Sequence, residues 1–275
     1  MLSIILNYKS IYFALASFPV VFIGIVEDFR RLHYKIRFIF MITSAIIAIS
    51  VLDAVITNLG ILELPYLIAV PFTIFAIVGV INAFNIIDGL NGLSSGIALI
   101  SLASFYYLAG KYDLIELKLI ILILLFSILG FFVLNFPFGK IFLGDSGSYF
   151  LGFSLAVISI LLINLSNGKV SPWFPSVVLF IPIWETLFSI YRRKREGKNP
   201  FIPDNFHIHQ LVYSLVKNNP LSSLLILVIQ SIITIIAVSI YNSTSLLIIY
   251  FIFLVTIYIL SYNFLNKEEK LKDAE

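Results

Sequence analysis

The sequence predicts an all-α fold, a polytopic transmembrane helix bundle of about nine spans, on three observations. The 275 residues are 60% hydrophobic and 12% charged, with a mean hydropathy of +1.04. That is about half the charged fraction of a soluble domain. The apolar residues come in runs near the ~20 residues that cross a bilayer. Lys and Arg are shared unevenly between alternate connections, as in membrane proteins whose basic residues stay in the cytoplasm.

The runs are 10–26, 38–57, 65–84, 95–109, 117–135, 148–165, 173–191, 221–241 and 245–264. The first ends in Gly24-Ile25-Val26-Glu27-Asp28, not in a small-residue cleavage site, so it is read as a span and not as a cleaved leader. The fourth is short, which predicts a tilted or partial crossing. The seventh contains Pro182 and Glu185. The proline predicts a kink, and an intramembrane carboxylate is a functional candidate set against a Glu that snorkels to the interface. Residues 265–275 are read as a tail, and 1–275 as a single integral membrane domain. Such long, uniformly apolar runs are helices, not strands of a barrel. With no Cys, disulfides and thiolate metal sites are excluded.

An odd number of spans puts the chain ends on opposite sides. One set of connections, with the tail, carries fourteen Lys and Arg, and the other carries Lys9, Lys111, Lys118 and Lys169. The basic set is assigned to the cytoplasm. Four polar clusters all fall on that same side.

Glu27-Asp28 precedes Arg30, Arg31, His33, Lys35 and Arg37. Adjacent carboxylates there suit a cation or a proton transfer; alone, a solvated helix end is the simpler reading. In NAFNIIDGLNG, Asn82, Asn85 and Asp88 recur every third residue and share a helix face, followed by Gly89, Asn91 and Gly92. A polar face in so apolar a chain points to a cavity or ligand, against the alternative of an Asn-rich cap with a Gly stop. Asn135 opens a turn through Pro137 and Gly139 to Gly144-Asp145-Ser146-Gly147-Ser148. Free amides at a helix start favour an anion, and Asp145 beside them asks for a cation in between. The last cluster joins Arg192, Arg193 and Arg195 to Phe201, Pro203, His207, His209 and Gln210. The basic run alone is a topology signal, but with two His it points to an anion site.

Together these stretches resemble the polyprenyl-phosphate N-acetylhexosamine-1-phosphate transferases, glycosyltransferase family 4. The matching elements are an acidic pair after a span, Asn-x-x-Asn-x-x-Asp-Gly-x-x-Gly, Gly-Asp-x-Gly-Ser and a His-rich loop, in family order from about residue 20 to residue 213. The resemblance implies transfer of a HexNAc 1-phosphate from a UDP-N-acetylhexosamine to a polyprenyl phosphate lipid, with release of UMP. It implies Mg²⁺ (or Mn²⁺) as cofactor, a multi-pass protein of the bacterial inner membrane with a cytoplasmic active site, and a role in starting cell-envelope polysaccharide or glycolipid synthesis. A homodimer is the candidate assembly, and no nucleic acid partner is expected.

Carried over by position, Asp145 is the metal ligand and Asp28, Asp88 and Glu27 are the catalytic candidates. Asn82, Asn85, Asn91, Asn135, Arg37, Arg193, His207 and His209 are the substrate-binding candidates. Glu27 stands where the family has a first Asp, Asn91 where many members have a second Asp, and Gln210 in place of a third His. The chain is also expected to be short at its N-terminus, beginning near the family's third span. A catalytically inactive truncated relative and a membrane transporter are the competing readings; a transporter would need polar groups at midplane and on the opposite half of several helices.

Overall fold

The computed structural model describes residues 8–199, 204 and 206–272, and among these residues the regular structure is helical. In order the helices are α1 (Tyr8–Phe29), α2 (Tyr34–Leu52), α3 (Tyr66–Ile87), α4 (Leu93–Lys111), α5 (Ile115–Asn135), α6 (Gly144–Leu165), α7 (Trp173–Val178), α8 (Phe180–Arg195), α9 (Ile208–Val216), α10 (Asn219–Ser239) and α11 (Thr244–Lys272). Eight of them are long and apolar enough to cross a membrane. Each matches one of the predicted spans, and the bundle is polytopic.

The seventh predicted span, 173–191, is the exception, because Leu179 divides it into α7 and α8. Proline lacks the N–H that would bond four residues back, so Pro182 leaves the carbonyl of Val178 without its helical donor. The buried Gln230 of α10 supplies it, with Nε2 2.7 Å from that oxygen. The break is therefore sealed from a neighbouring helix. The expected tail differs too: α11 continues to Lys272, and residues 273–275 lie outside the described residues.

The centre of the bundle is α6, with α1, α3 and α4 packed around it. Without a solvent-driven hydrophobic force between helices in lipid, small residues that let backbones approach carry much of the packing. Two glycines do so here. A Cβ on Gly152 would lie 2.5 Å from Ile81 Cα of α3, and one on Gly24 would lie 2.7 Å from Ser146 N of α6. The ends of α1 and α3 are thus drawn onto the start of α6, on the basic side. Outward, α5, α10 and α11 present large apolar side chains such as Phe126, Ile235 and Leu260. On the opposite side the connections 112–114, 166–172 and 240–243 are short, and 53–65 is longer than expected. The segment between α2 and α3 carries one isolated bridge, Asn58 to Glu63, and is tied to the bundle by Trp173 Nε1 bonding Leu59 O at 3.0 Å.

Candidate active site

The site forms where α1, α3 and α6 end together. Asp28, at the end of α1, caps α6 from outside that helix. Its Oδ1 accepts the N–H of Asp145 at 2.7 Å, and its Oδ2 accepts the N–H (3.2 Å) and hydroxyl (2.7 Å) of Ser146. Gly144 makes room: its φ is +70° and a Cβ there would lie 2.8 Å from the Asp28 carboxylate. This corrects one expectation. The amides of Asp145 and Ser146 are not open to a phosphate, because the chain provides the anion itself.

Asp145 is therefore held through its backbone by Asp28, while its side chain is held by Asn85, whose Nδ2 lies 2.5 Å from Oδ1 and 3.2 Å from Ser148 Oγ. Asn82 does not join them. Its Nδ2 bonds Val78 O of its own helix at 2.7 Å and touches Met41 Sδ. Asp88 ends α3, its N–H bonding Asn85 O at 3.4 Å. Burial first, and then the Asp145 carboxylate, push its carboxyl up to about 7. A buried carboxyl beside a second carboxylate calls for a proton or a cation between them.

Glu27 closes the α1–α2 turn. Its Oε2 accepts Leu32 N at 2.8 Å and its Oε1 pairs with Arg37 Nη1 at 3.4 Å. The same nitrogen lies 3.3 Å from the hydroxyl of Tyr149, a buried side chain of α6. Arg37 is thus fixed at the rim of the carboxylate group with part of its guanidinium exposed. Tyr149 was not legible as a site residue, since nothing in its sequence context separates it from core aromatics.

Asn91 and Asn135 hold loops. Asn135 is buried; its Oδ1 accepts Gly92 N at 2.5 Å and its Nδ2 donates to Ile141 O at 2.6 Å. Asn91 gives its N–H to Asn219 Oδ1 at 2.9 Å and its Nδ2 to Pro137 O at 3.3 Å. Both amides expected to bind substrate are thus engaged in joining the 88–92 turn to the 136–143 loop and to α10. Asn219, the first residue of α10, is not among the residues the sequence singles out.

The His loop reaches the same turn from the far side. Arg193 Nε and Nη2 bond Asp204 Oδ2 and Oδ1 at 3.1 and 3.0 Å, and Arg192 Nη1 adds a contact at 2.9 Å. Burial pushes Asp204 up, but hydrogen bonds from Arg193 and Arg192 outweigh it and hold the carboxyl well below the usual range. His207 Nδ1 lies 2.7 Å from Oε1 of the buried Glu185, whose Oε2 takes Ile208 N at 3.1 Å and the hydroxyl of Tyr258 at 2.5 Å. Glu185 accordingly does not snorkel; it anchors the start of α9. Arg193 and His207 therefore bind their own chain, and the negative Asp204 within the basic stretch was the signal for that pairing. His209 is buried, and Nδ1 has no hydrogen-bond partner among the described residues. Burial lowers it to about 4, so it is neutral. Its Nε2 would lie 2.7 Å from a Cβ on Gly89, which puts the imidazole directly on the Asp88-Gly89 turn. Phe201 and Pro203 lie outside the described residues.

No three His, Asp or Glu side chains among the described residues converge to hold a metal by themselves. That donor set still fits Mg²⁺, which binds through one or two carboxylates together with substrate phosphates and waters. Asp145, its side chain held by Asn85 and its backbone by Asp28, is the carboxylate placed for it.

Comparison with known proteins gives concordant matches. The model of the family described as glycosyl transferase family 4 matches residues 10–163. A probable undecaprenyl-phosphate N-acetylglucosaminyl 1-phosphate transferase of Bacillus subtilis (strain 168) is 32% identical over 253 residues, 88% of this chain and 69% of the relative. An undecaprenyl-phosphate alpha-N-acetylglucosaminyl 1-phosphate transferase of Thermotoga maritima is 34% identical, over 72% of this chain and 60% of its own length. The protein of that name in Escherichia coli O157:H7 is 32% identical, over 74% and 58%. The chain thus spans 58 to 69% of the length of these three relatives.

Proposed function

This chain belongs to glycosyl transferase family 4, and from that premise we propose that it transfers N-acetylglucosamine 1-phosphate from the UDP-sugar to undecaprenyl phosphate at the cytoplasmic face of a bacterial inner membrane. An oxygen of the lipid phosphate attacks the sugar-bearing phosphorus of the nucleotide sugar. The bond from that phosphorus to the bridging oxygen breaks, UMP leaves with the electron pair, and a polyprenyl diphosphate sugar remains. The observation that carries this reading is the meeting of Asp28, Asn85, Asp88 and Asp145 at three helix ends on the basic side of the bundle. A lipid phosphate can reach such a place from the membrane and a nucleotide from water.

In this reading Asp145 would hold Mg²⁺, and Asn85 and Asp28 keep that carboxylate aimed. The ion supplies charge that offsets the repulsion between two anionic substrates. Asp88, titrating near neutrality, is suited to take a proton from the lipid phosphate. Asp28 acts through α6, because both its oxygens are engaged by that helix. Arg37, held by Glu27 and Tyr149, offers its remaining donors to a phosphate at the rim. The His loop closes the far wall of the site through His209 and Gly89.

The test is UMP release in nanodiscs with undecaprenyl phosphate and a panel of UDP-N-acetylhexosamines, with and without Mg²⁺. Metal-dependent release with UDP-GlcNAc is expected, and Asp145→Asn should abolish it. No release from folded protein with any donor would overturn the proposal, and full activity of the Asp145→Asn variant would remove that residue as the ligand.

A further inference from the structure

The membrane face opposite the candidate active site is poor in basic residues, yet three of its four lysines gather in one place. The fourth, Lys9, is paired with Glu116 at 2.8 Å. The other three have no carboxylate within ion-pair distance among the described residues, although the exposed Asp113 lies in the same turn. Each instead lies over a tyrosine ring: Lys118 over Tyr106 at 5.0 Å, Lys111 over Tyr241 at 4.8 Å and Lys169 over Tyr112 at 5.3 Å from the ring centre.

The arrangement is built, not a scatter of surface charge. The hydroxyls of Tyr112 and Tyr241 are hydrogen-bonded at 2.7 Å, which ties the ring under Lys111 to the ring under Lys169. Lys118 Nζ would lie 3.5 Å from a Cβ on Gly110, beside Lys111. The connections are fastened beneath them by Ser171 N bonding Tyr241 O at 3.0 Å and by Ser171 Oγ meeting Thr244 Oγ1 at 2.8 Å. A tyrosine holds one side of an ammonium group, by its face and, for Lys111, also by a hydrogen bond with the Tyr241 side chain, and each ammonium group has three N–H donors in all.

We propose that this lysine–tyrosine array, at the ends of α4, α6 and α10 and the start of α5, is a binding site for the phosphate of an anionic phospholipid in the leaflet opposite the candidate active site. Two observations select that occupant. Tyrosines at the ends of spans sit at headgroup depth, where the apolar ring and polar tip are both satisfied. Three ammonium groups with one unpaired carboxylate leave a positive surplus, and the anion available at that depth is a lipid phosphodiester. The site is independent of the transfer reaction, so it stands or falls separately from the proposed function.

Native mass spectrometry of the full chain, delipidated and titrated with phosphatidylglycerol or phosphatidylcholine, tests it. Wild type should retain more phosphatidylglycerol than phosphatidylcholine. Lys111→Gln/Lys118→Gln/Lys169→Gln should retain one phosphatidylglycerol fewer, with phosphatidylcholine unchanged, and the corresponding triple Arg variant should restore it. The same phosphatidylglycerol count in the Gln variant and wild type would overturn the proposal. If the Gln variant fails to fold, wild type alone decides, because equal retention of the two lipids would overturn it as well.

Discussion

Asp28→Ala separates the two ways in which that carboxylate can matter. In the structure it accepts three hydrogen bonds from the first turn of α6, at 2.7, 3.2 and 2.7 Å. Loss of a capping side chain costs about 0.5–2 kcal/mol. Asp28 is exposed, so water replaces part of what is lost and about 1 kcal/mol is the expected cost. At about 2–4 °C per kcal/mol for a chain of this size, Tm should fall by roughly 2–4 °C. The freed turn also carries Asp145, so the Mg²⁺ concentration for half-maximal UMP release should rise about fivefold, the equivalent of that ~1 kcal/mol. Asp28→Asn keeps one oxygen for the Asp145 amide and should recover part of both losses. The measurements are differential scanning fluorimetry and an Mg²⁺ titration of turnover. An Asp28→Ala protein with wild-type Tm and no turnover at any Mg²⁺ concentration would refute the capping argument and place Asp28 on the reacting atoms.

Three further outcomes are expected. Gly89→Ala puts a methyl group 2.7 Å from His209 Nε2, and overpacking of that kind costs roughly 1–3 kcal/mol. Turnover should drop with the displaced His loop, and the double variant Gly89→Ala/His209→Ala should recover Tm. Asn135→Ala strands the Gly92 N–H and the Ile141 carbonyl, at about 1–3 kcal/mol for a buried group left unpaired, so its Tm loss should exceed that of Asp28→Ala. The Asp88 carboxyl, at about 7 when folded, stands above the roughly 3.9 of an unfolded chain. Its stabilising contribution is full below the unfolded value and is lost as pH rises through 7. Metal-free wild type should therefore lose Tm from about pH 5 to about pH 8, and Asp88→Asn should flatten that slope.

The spans were legible because membrane insertion writes itself into long apolar runs, and the side holding the site was legible because Lys and Arg are sorted across the membrane. The partners within the site were not. Asp28 meets an amide 117 residues away, Asn135 reaches back 43 residues to Gly92, and periodicity within one helix carries no information about either. Asn82, Asn85 and Asp88 were read as one helix face, but Asp88 lies just past the end of α3, and Asn82, a turn deeper, bonds its own backbone. Glycine was the overlooked signal. Gly24, Gly144 and Gly152 each mark a place where one segment is pressed against another, which a sequence read segment by segment treats as flexibility. The break at Leu179 was foreshadowed by Pro182, but the residue that repairs it, Gln230, stands 52 residues from the carbonyl it bonds and was not singled out.

That repair ties the histories of two positions together. A carbonyl left bare in hydrocarbon is costly, so Gln230→Leu should be harmful while Pro182 is present. Once an N–H-bearing residue replaces the proline, the same change should be far milder. Sequences descending from a common ancestor would then cross from one state to the other only in a permitted order, with the helix made continuous before the glutamine is given up. A Pro182→Ala/Gln230→Leu double-mutant cycle would read out that order as a departure from additivity.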